Sequence, residues 1–173
     1  MAWSASAIFQ QAMLNPIARS VNAGTAPTGF TSLTATDVVN VALFNNTTTP
    51  DKTVAVGSTG YNTGVWVIAN EVIDTLNTNW IAGGRPLGSR SFAIDTGSSS
   101  VCYIAANTAG AGNVTITNAY GCLVNDSTIT AGTVAKQGIC YNYFGGSQNV
   151  TNGTFTVIWA TVGAVQAVFN ITV

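Results

Sequence analysis

The sequence predicts a mainly β protein: an antiparallel β-sandwich or jelly-roll-like single domain with a short N-terminal helix and an extended arm. Three observations carry this expectation. Eight or nine short apolar runs recur along the chain, separated by Gly, Asn and Thr turns. The 173 residues give room for one domain and not comfortably for two. Threonine, at 25 residues, is β-branched yet polar enough for the outer face of a pleated strand.

The helix is predicted at the start. Ala5, Ile8, Phe9, Ala12 and Met13 fall at i, i+3, i+4, i+7 and i+8, one apolar stripe at helical period. Ser4 suits the N-cap, and Pro16 limits the helix. Residues 20–36, rich in Gly, Thr, Ala and Pro, read as an arm, so 1–36 form helix and arm and 37–173 the β domain. Strands are expected over 38–44, 65–68, 91–94, 101–105, 113–117, 120–124 and 138–144, the first apolar on both faces except at Asn40. A hairpin loop at 107–112 is expected to join 101–105 to 113–117. The alternating runs 154–159 and 165–173 read as a final antiparallel pair turning at Gly163. The last strand carries no charge, so it either forms an edge open to another chain or lies centrally.

Composition bounds the function. Hydrophobic residues make up 47% and charged residues only 6%, against roughly 25% in an ordinary soluble domain. Such a chain is not disordered by charge. Five Lys+Arg against six Asp+Glu, a net charge of −1, supply no basic cluster for nucleic acid. Histidine is absent, which removes His-based acid–base chemistry, the Ser/His/Asp and Cys/His nucleophiles and most zinc sites. The surface is left to Thr and to 17 Asn, and a near-neutral surface protects poorly against association. The expectation is a protein that lives in an assembly.

The N-terminus has no cationic n-region and its apolar stretch is broken by Gln10 and Gln11, so no signal peptide is expected. No apolar run is long enough to predict a membrane helix. Cys102, Cys122 and Cys140 sit in apolar runs and read as buried thiols. The Asn-x-Ser/Thr triplets follow from composition.

Catalytic motifs are few. Phe92-Ala93-Ile94-Asp95-Thr96-Gly97-Ser98-Ser99 resembles the Asp-Thr-Gly-Ser loop of aspartic proteases, where two such carboxylates share one proton. With one copy here, a strand followed by an ordinary turn explains it better. Glu71 and Asp74 could flank a cation or sugar but read as a solvated loop pair, and Asp51-Lys52 as a turn. Gly83-Gly84 and Gly145-Gly146 lack the context of a phosphate loop. Trp66 and Trp159 are expected in the core, whereas Trp3 and Trp80 lie in irregular segments and are interface candidates. No catalytic, cofactor or metal residue is assigned, and the chain is not expected to be an enzyme.

The pattern Met1-Ala2-Trp3-Ser4-Ala5-Ser6-Ala7, Val41-Ala42-Leu43-Phe44-Asn45-Asn46 with Thr49-Pro50-Asp51, and Trp80-Ile81-Ala82-Gly83-Gly84 runs on into a late block. That block is Gly138-Ile139-Cys140-Tyr141-Asn142-Tyr143-Phe144-Gly145-Gly146-Ser147-Gln148, followed by Gly153-Thr154-Phe155-Thr156-Val157. Together these resemble a family of small virion structural proteins of actinobacterial tailed phages. The resemblance covers most of the chain, and its motifs are structural. It implies a capsid decoration protein, made in the host cytoplasm and carried on the head surface, that binds the major capsid protein and reinforces contacts between its subunits. Self-association as a homotrimer is the expected state. The alternative is a minor tail protein or a tail-borne carbohydrate- or host-surface-binding module, with Trp80, Tyr61, Tyr141 and Tyr143 as platforms. Neither a nucleic acid nor a membrane is an expected partner. The contact residues expected are Trp3, Ile8, Phe9, Phe30, Trp80, Arg85 and Arg90.

Overall fold

A computed structural model describes residues 3–10, 12–13, 33–76, 78–110, 112–130, 134–162 and 165–172. The chain is mainly β, and every strand ladder among these residues is antiparallel. The strands are β1 (Ala7–Ile8), β2 (Val39–Phe44), β3 (Glu71–Val72), β4 (Arg85–Pro86), β5 (Ser91–Asp95) and β6 (Ser100–Ile104). They continue as β7 (Thr108–Ala109), β8 (Val114–Asp126), β9 (Gly138–Gly153), β10 (Thr156–Val157), β11 (Ala160–Val162) and β12 (Val165–Thr172). The larger sheet runs β1-β9-β8-β2-β3, with β4 also on β2; the second runs β11-β12-β6-β5, and β10 pairs with β7 alone.

Strand β2 shows why the larger sheet holds its place. Successive side chains of a strand point to opposite faces. Val39, Val41 and Leu43 enter one buried cluster, which also takes Tyr103 and Ala105 from the β6 region and Val168 from β12. Ala42 and Phe44 enter a second cluster on the other face, with Leu123 of β8 and Tyr141 of β9. The second cluster is closed by Trp3, Phe9 and Ala12 from the N-terminal segment and by Tyr61 and Trp66 from the β2–β3 connection. The larger sheet is therefore covered on both faces, and β2 is apolar on both for that reason. Trp66 is the hub, with ring centroids 5.1 Å from Phe44, 5.7 Å from Trp3, 5.8 Å from Tyr141 and 6.0 Å from Phe9.

Several expectations are corrected. The stripe from Ala5 to Met13 is not one helical face. Ala7 and Ile8 are extended and pair with Tyr141 and Cys140, and the Phe9 amide donates to the Ile139 carbonyl (3.0 Å). Helical conformation in the described part of this segment begins at Gln10 and includes Ala12 and Met13. Burial of Trp3 and Phe9 against the sheet wins over local helical period. Pro16 and the arm up to residue 32 lie outside the described residues.

The run 65–68 is not a strand: the Trp66 amide donates to the Thr63 carbonyl and its carbonyl accepts from Asn62, a local turn that drives the indole into the cluster. Segments 101–105 and 113–117 form no hairpin, because β6 and β8 belong to different sheets. Instead 113–117 and 120–124 fuse into the single bulged strand β8. The partner of β12 at the final turn is Ala160–Val162, while Thr156–Val157 pairs back onto Thr108–Ala109. Gly163 lies outside the described residues.

Candidate functional site

The uncharged strand at the chain end is not an edge. β12 lies between β11 and β6, and among the described residues the edge positions fall to β11 and β5. β5 is the more apolar edge: Phe92 is 49% exposed and Ile94 77%. Register places Phe92 beside Tyr103 and Tyr103 beside Phe169, and the rings follow at 5.0 and 5.3 Å, an aromatic row across three strands. On the same face Ile94 pairs with Val101 and Val101 with Ile171. The row is anchored at its centre, where the Tyr103 hydroxyl donates to the Leu33 carbonyl (2.8 Å). A short edge strand normally carries a charge or a proline against unwanted pairing. β5 carries none before Asp95.

Asp95 serves its own turn. The Ser98 hydroxyl and amide and the Gly97 amide all donate to its carboxylate, and these bonds, led by that of the Ser98 hydroxyl, hold it below the usual carboxylate range. Ser99, with φ of 50°, completes the reversal into β6.

Three of the seven expected contact residues are interior. Trp3, Phe9 and Trp80 are buried inside this chain. The Trp3 indole N–H donates to the Asn45 carbonyl (2.8 Å) and that of Trp80 to the Phe155 carbonyl (3.3 Å). Each indole finds its acceptor within the chain, so an irregular segment does not mean a free side chain. Ile8 is half-buried in β1. Arg85 is half-buried, with its guanidinium 5.9 Å from the Trp80 ring and a donor on the Asn79 carbonyl. Arg90, half-buried at the entry to β5, donates to the Asp37 carbonyl. Phe30 lies outside the described residues. Of the four aromatic platforms, Trp80, Tyr61 and Tyr141 are buried and Tyr143 stacks on Trp3.

Glu71 and Asp74 are structural groups, not a solvated pair. Glu71 accepts from the Tyr61 hydroxyl (2.6 Å) and the Gly83 amide (2.9 Å), and burial raises its carboxyl above the usual range. Asp74 is wholly buried. Burial pulls its carboxyl upward, but donors from the Thr115 amide and the Leu76 and Thr78 region outweigh it and hold the group low. Another acid pair, Asp37 and Asp126, far apart in the chain and not legible as a pair, is buried where the chain enters β2 and leaves β8. Burial, together with the charge of Asp37, lifts Asp126 to about 6. Cys102, Cys122 and Cys140 are buried free thiols, and burial pushes Cys122 up to about 12. Among the described residues no cluster of three metal-ligating side chains occurs, and no helix is long and apolar enough to cross a membrane.

Comparison with protein-family models, with curated proteins and with solved structures returns no match. The strand edge at β5 is thus the feature that most directly suggests a task. Phe92 and Ile94 were legible only as alternating strand residues, because edge position is a property of topology.

Proposed function

We propose that the chain is a virion structural protein that decorates the capsid, binding the outside of the mature head and reinforcing contacts between major capsid subunits. One observation carries the reading: the edge strand β5 exposes Phe92 and Ile94, with no charge between Ser91 and Ile94, on a chain with 6% charged residues. Free strand edges recruit further strands, and exposed apolar patches mark contact surfaces. The resemblance to small virion proteins of actinobacterial tailed phages points the same way.

The mechanism is static. A protein that binds only the mature lattice stabilises it by mass action. Many equivalent contacts, each weak, act together once the copies are arrayed on one shell. In this reading the two larger sheets form a β-sandwich of jelly-roll type around the cluster they share. The free protein is a homotrimer. Partner contacts then centre on Phe92 and Ile94, flanked by Arg90. No catalytic step is assigned.

Size-exclusion chromatography with light scattering, followed by cosedimentation with purified heads and purified tails, tests this. The expected result is a species of about 53 kDa, three chains of 17.7 kDa, that saturates heads. Binding to tails alone would transfer the chain to the minor tail proteins and refute the reading.

A further inference from the structure

A second surface feature lies away from β5, at the fork where β2 parts from β8. Pairing of the two strands ends at Phe44 and Gly121. Beyond that point residues 45–47 turn away while β8 runs on, leaving an open groove of ≈ 580 Å³ lined by Asn45, Asn46, Thr47, Thr117, Asn118 and Tyr120. That volume is within the ~300–1,000 Å³ of small-molecule sites. Among the described residues its lining holds three carboxamides, two hydroxyls and one phenol, and no charged group.

The frame is pre-formed. Asn45 is fixed three ways: its amide donates to the Asn70 carbonyl (3.0 Å), its carbonyl accepts the Trp3 indole, and its side-chain oxygen accepts the Thr47 amide (2.8 Å). Asn118 sits in a β8 bulge at a φ of 60°, its amide donating to Asn149 Oδ1 (2.8 Å) and its Oδ1 accepting from the Ser147 hydroxyl (3.2 Å). Left unpaired among the described residues are the Asn46 carboxamide, the Thr117 hydroxyl, the Asn118 NH₂ and the Tyr120 hydroxyl. Tyr120 is half-buried against the second cluster, and Asn46, Thr47, Thr117 and Asn118 are exposed.

We propose that this fork binds a neutral saccharide. Sugar hydroxyls are each donor and acceptor, which matches carboxamides and hydroxyls group for group. Tyr120 packs against the second cluster and adds a phenol hydroxyl to the groove lining. The absence of cations disfavours phosphate or an acidic sugar, since anions are recognised by Arg, Lys or helix N-termini. Rigidity of Asn45 and Asn118 lowers the ordering cost of binding. The four platforms expected from sequence play no part in this site, and the proposal does not rest on the virion reading.

The test is a two-dimensional NMR titration of the full-length, ¹⁵N-labelled chain. The probes are maltose, cellobiose, lactose, mannobiose and arabinobiose, each to millimolar excess, with sialyllactose as the charged comparison. At least one neutral disaccharide should shift the amides of 45–47 and 117–120 saturably. The double variant Asn46→Ala/Thr117→Ala, whose side chains hold nothing inside the fold but line the groove, should weaken that binding at least tenfold with Tm unchanged. Absence of saturable shifts with all five neutral probes overturns the proposal. So do shifts elsewhere, or shifts that survive the double variant, or tighter binding of sialyllactose.

Discussion

Replacing Trp3 with alanine tests whether the N-terminal segment is a core layer. Its indole is fully buried, meets Trp66 at 5.7 Å and Tyr141 at 6.2 Å edge-on, and stacks on Tyr143 at 6.4 Å. Truncating a buried tryptophan costs about 3–5 kcal/mol in lost transfer energy and cavity. Each aromatic pair adds roughly 0.5–1.5 kcal/mol beyond area, but the cavity figure already contains part of that. The Asn45 carbonyl loses the indole donor but keeps the Thr48 amide at 3.4 Å. About 4 kcal/mol is therefore expected, or a fall in Tm of roughly 8–16 °C for a domain of this size. Urea denaturation followed by far-UV circular dichroism measures it, with an unchanged m-value showing that the denatured state is not what moved. Trp3→Phe, which keeps a ring and loses the N–H, should cost less than half as much. A loss below about 1 kcal/mol for Trp3→Ala would show that residues 3–13 are not part of the core, and the account of the larger sheet would fail.

Other consequences follow from buried groups. Asp126 has a folded pKa of about 6, above the ~3.9 of an unfolded aspartate, so the folded state binds the extra proton. Stability should fall as pH rises from about 4 to about 6 and stay level above that, and Asp126→Asn should flatten the decline in pH-dependent thermal melts. Gly84 lies at a φ of 82°, and a Cβ there would stand 2.2 Å from the Val41 carbonyl oxygen, whereas Gly88 faces open space. Gly84→Ala should cost about 3 kcal/mol or more and Gly88→Ala less than about 1, compared by chemical denaturation. The three thiols should resist a thiol-specific reagent in the native protein and react together on unfolding; rapid native labelling of Cys122 would contradict its burial.

What the sequence reveals follows the reach of each physical cause. β2, the 120–124 part of β8 and β12 were legible because the strand period is local: alternating or doubly apolar runs follow from the pleat alone. Val65-Trp66-Val67-Ile68 has the same composition and forms no strand, since its tryptophan is buried by plugging a cluster built from residues far away in sequence. The stripe from Ala5 to Met13 fits a helix equally well until Tyr141 and Cys140 offer β1 a ladder. Edge position at β5 was invisible, because it depends on which strands pair and not on Phe92 or Ile94. The groove at the fork was missed too: Asn45-Asn46-Thr47 and Thr117-Asn118 each look like a turn, and only the end of the β2–β8 ladder at Phe44 brings them together. Trp3 and Trp80 were placed at an interface because their segments look irregular, yet each indole donates inside the chain, to the Asn45 and Phe155 carbonyls.

The central claim is that the chain binds the head through the β5 edge. Cosedimentation of the wild-type chain and of Ile94→Lys with purified heads tests it most directly. Ile94 is 77% exposed, so the substitution should leave Tm within a degree or two. The account predicts stoichiometric binding of the wild type and at least a tenfold loss for the variant. Head binding that Ile94→Lys leaves intact, or no head binding by the wild type, would contradict it.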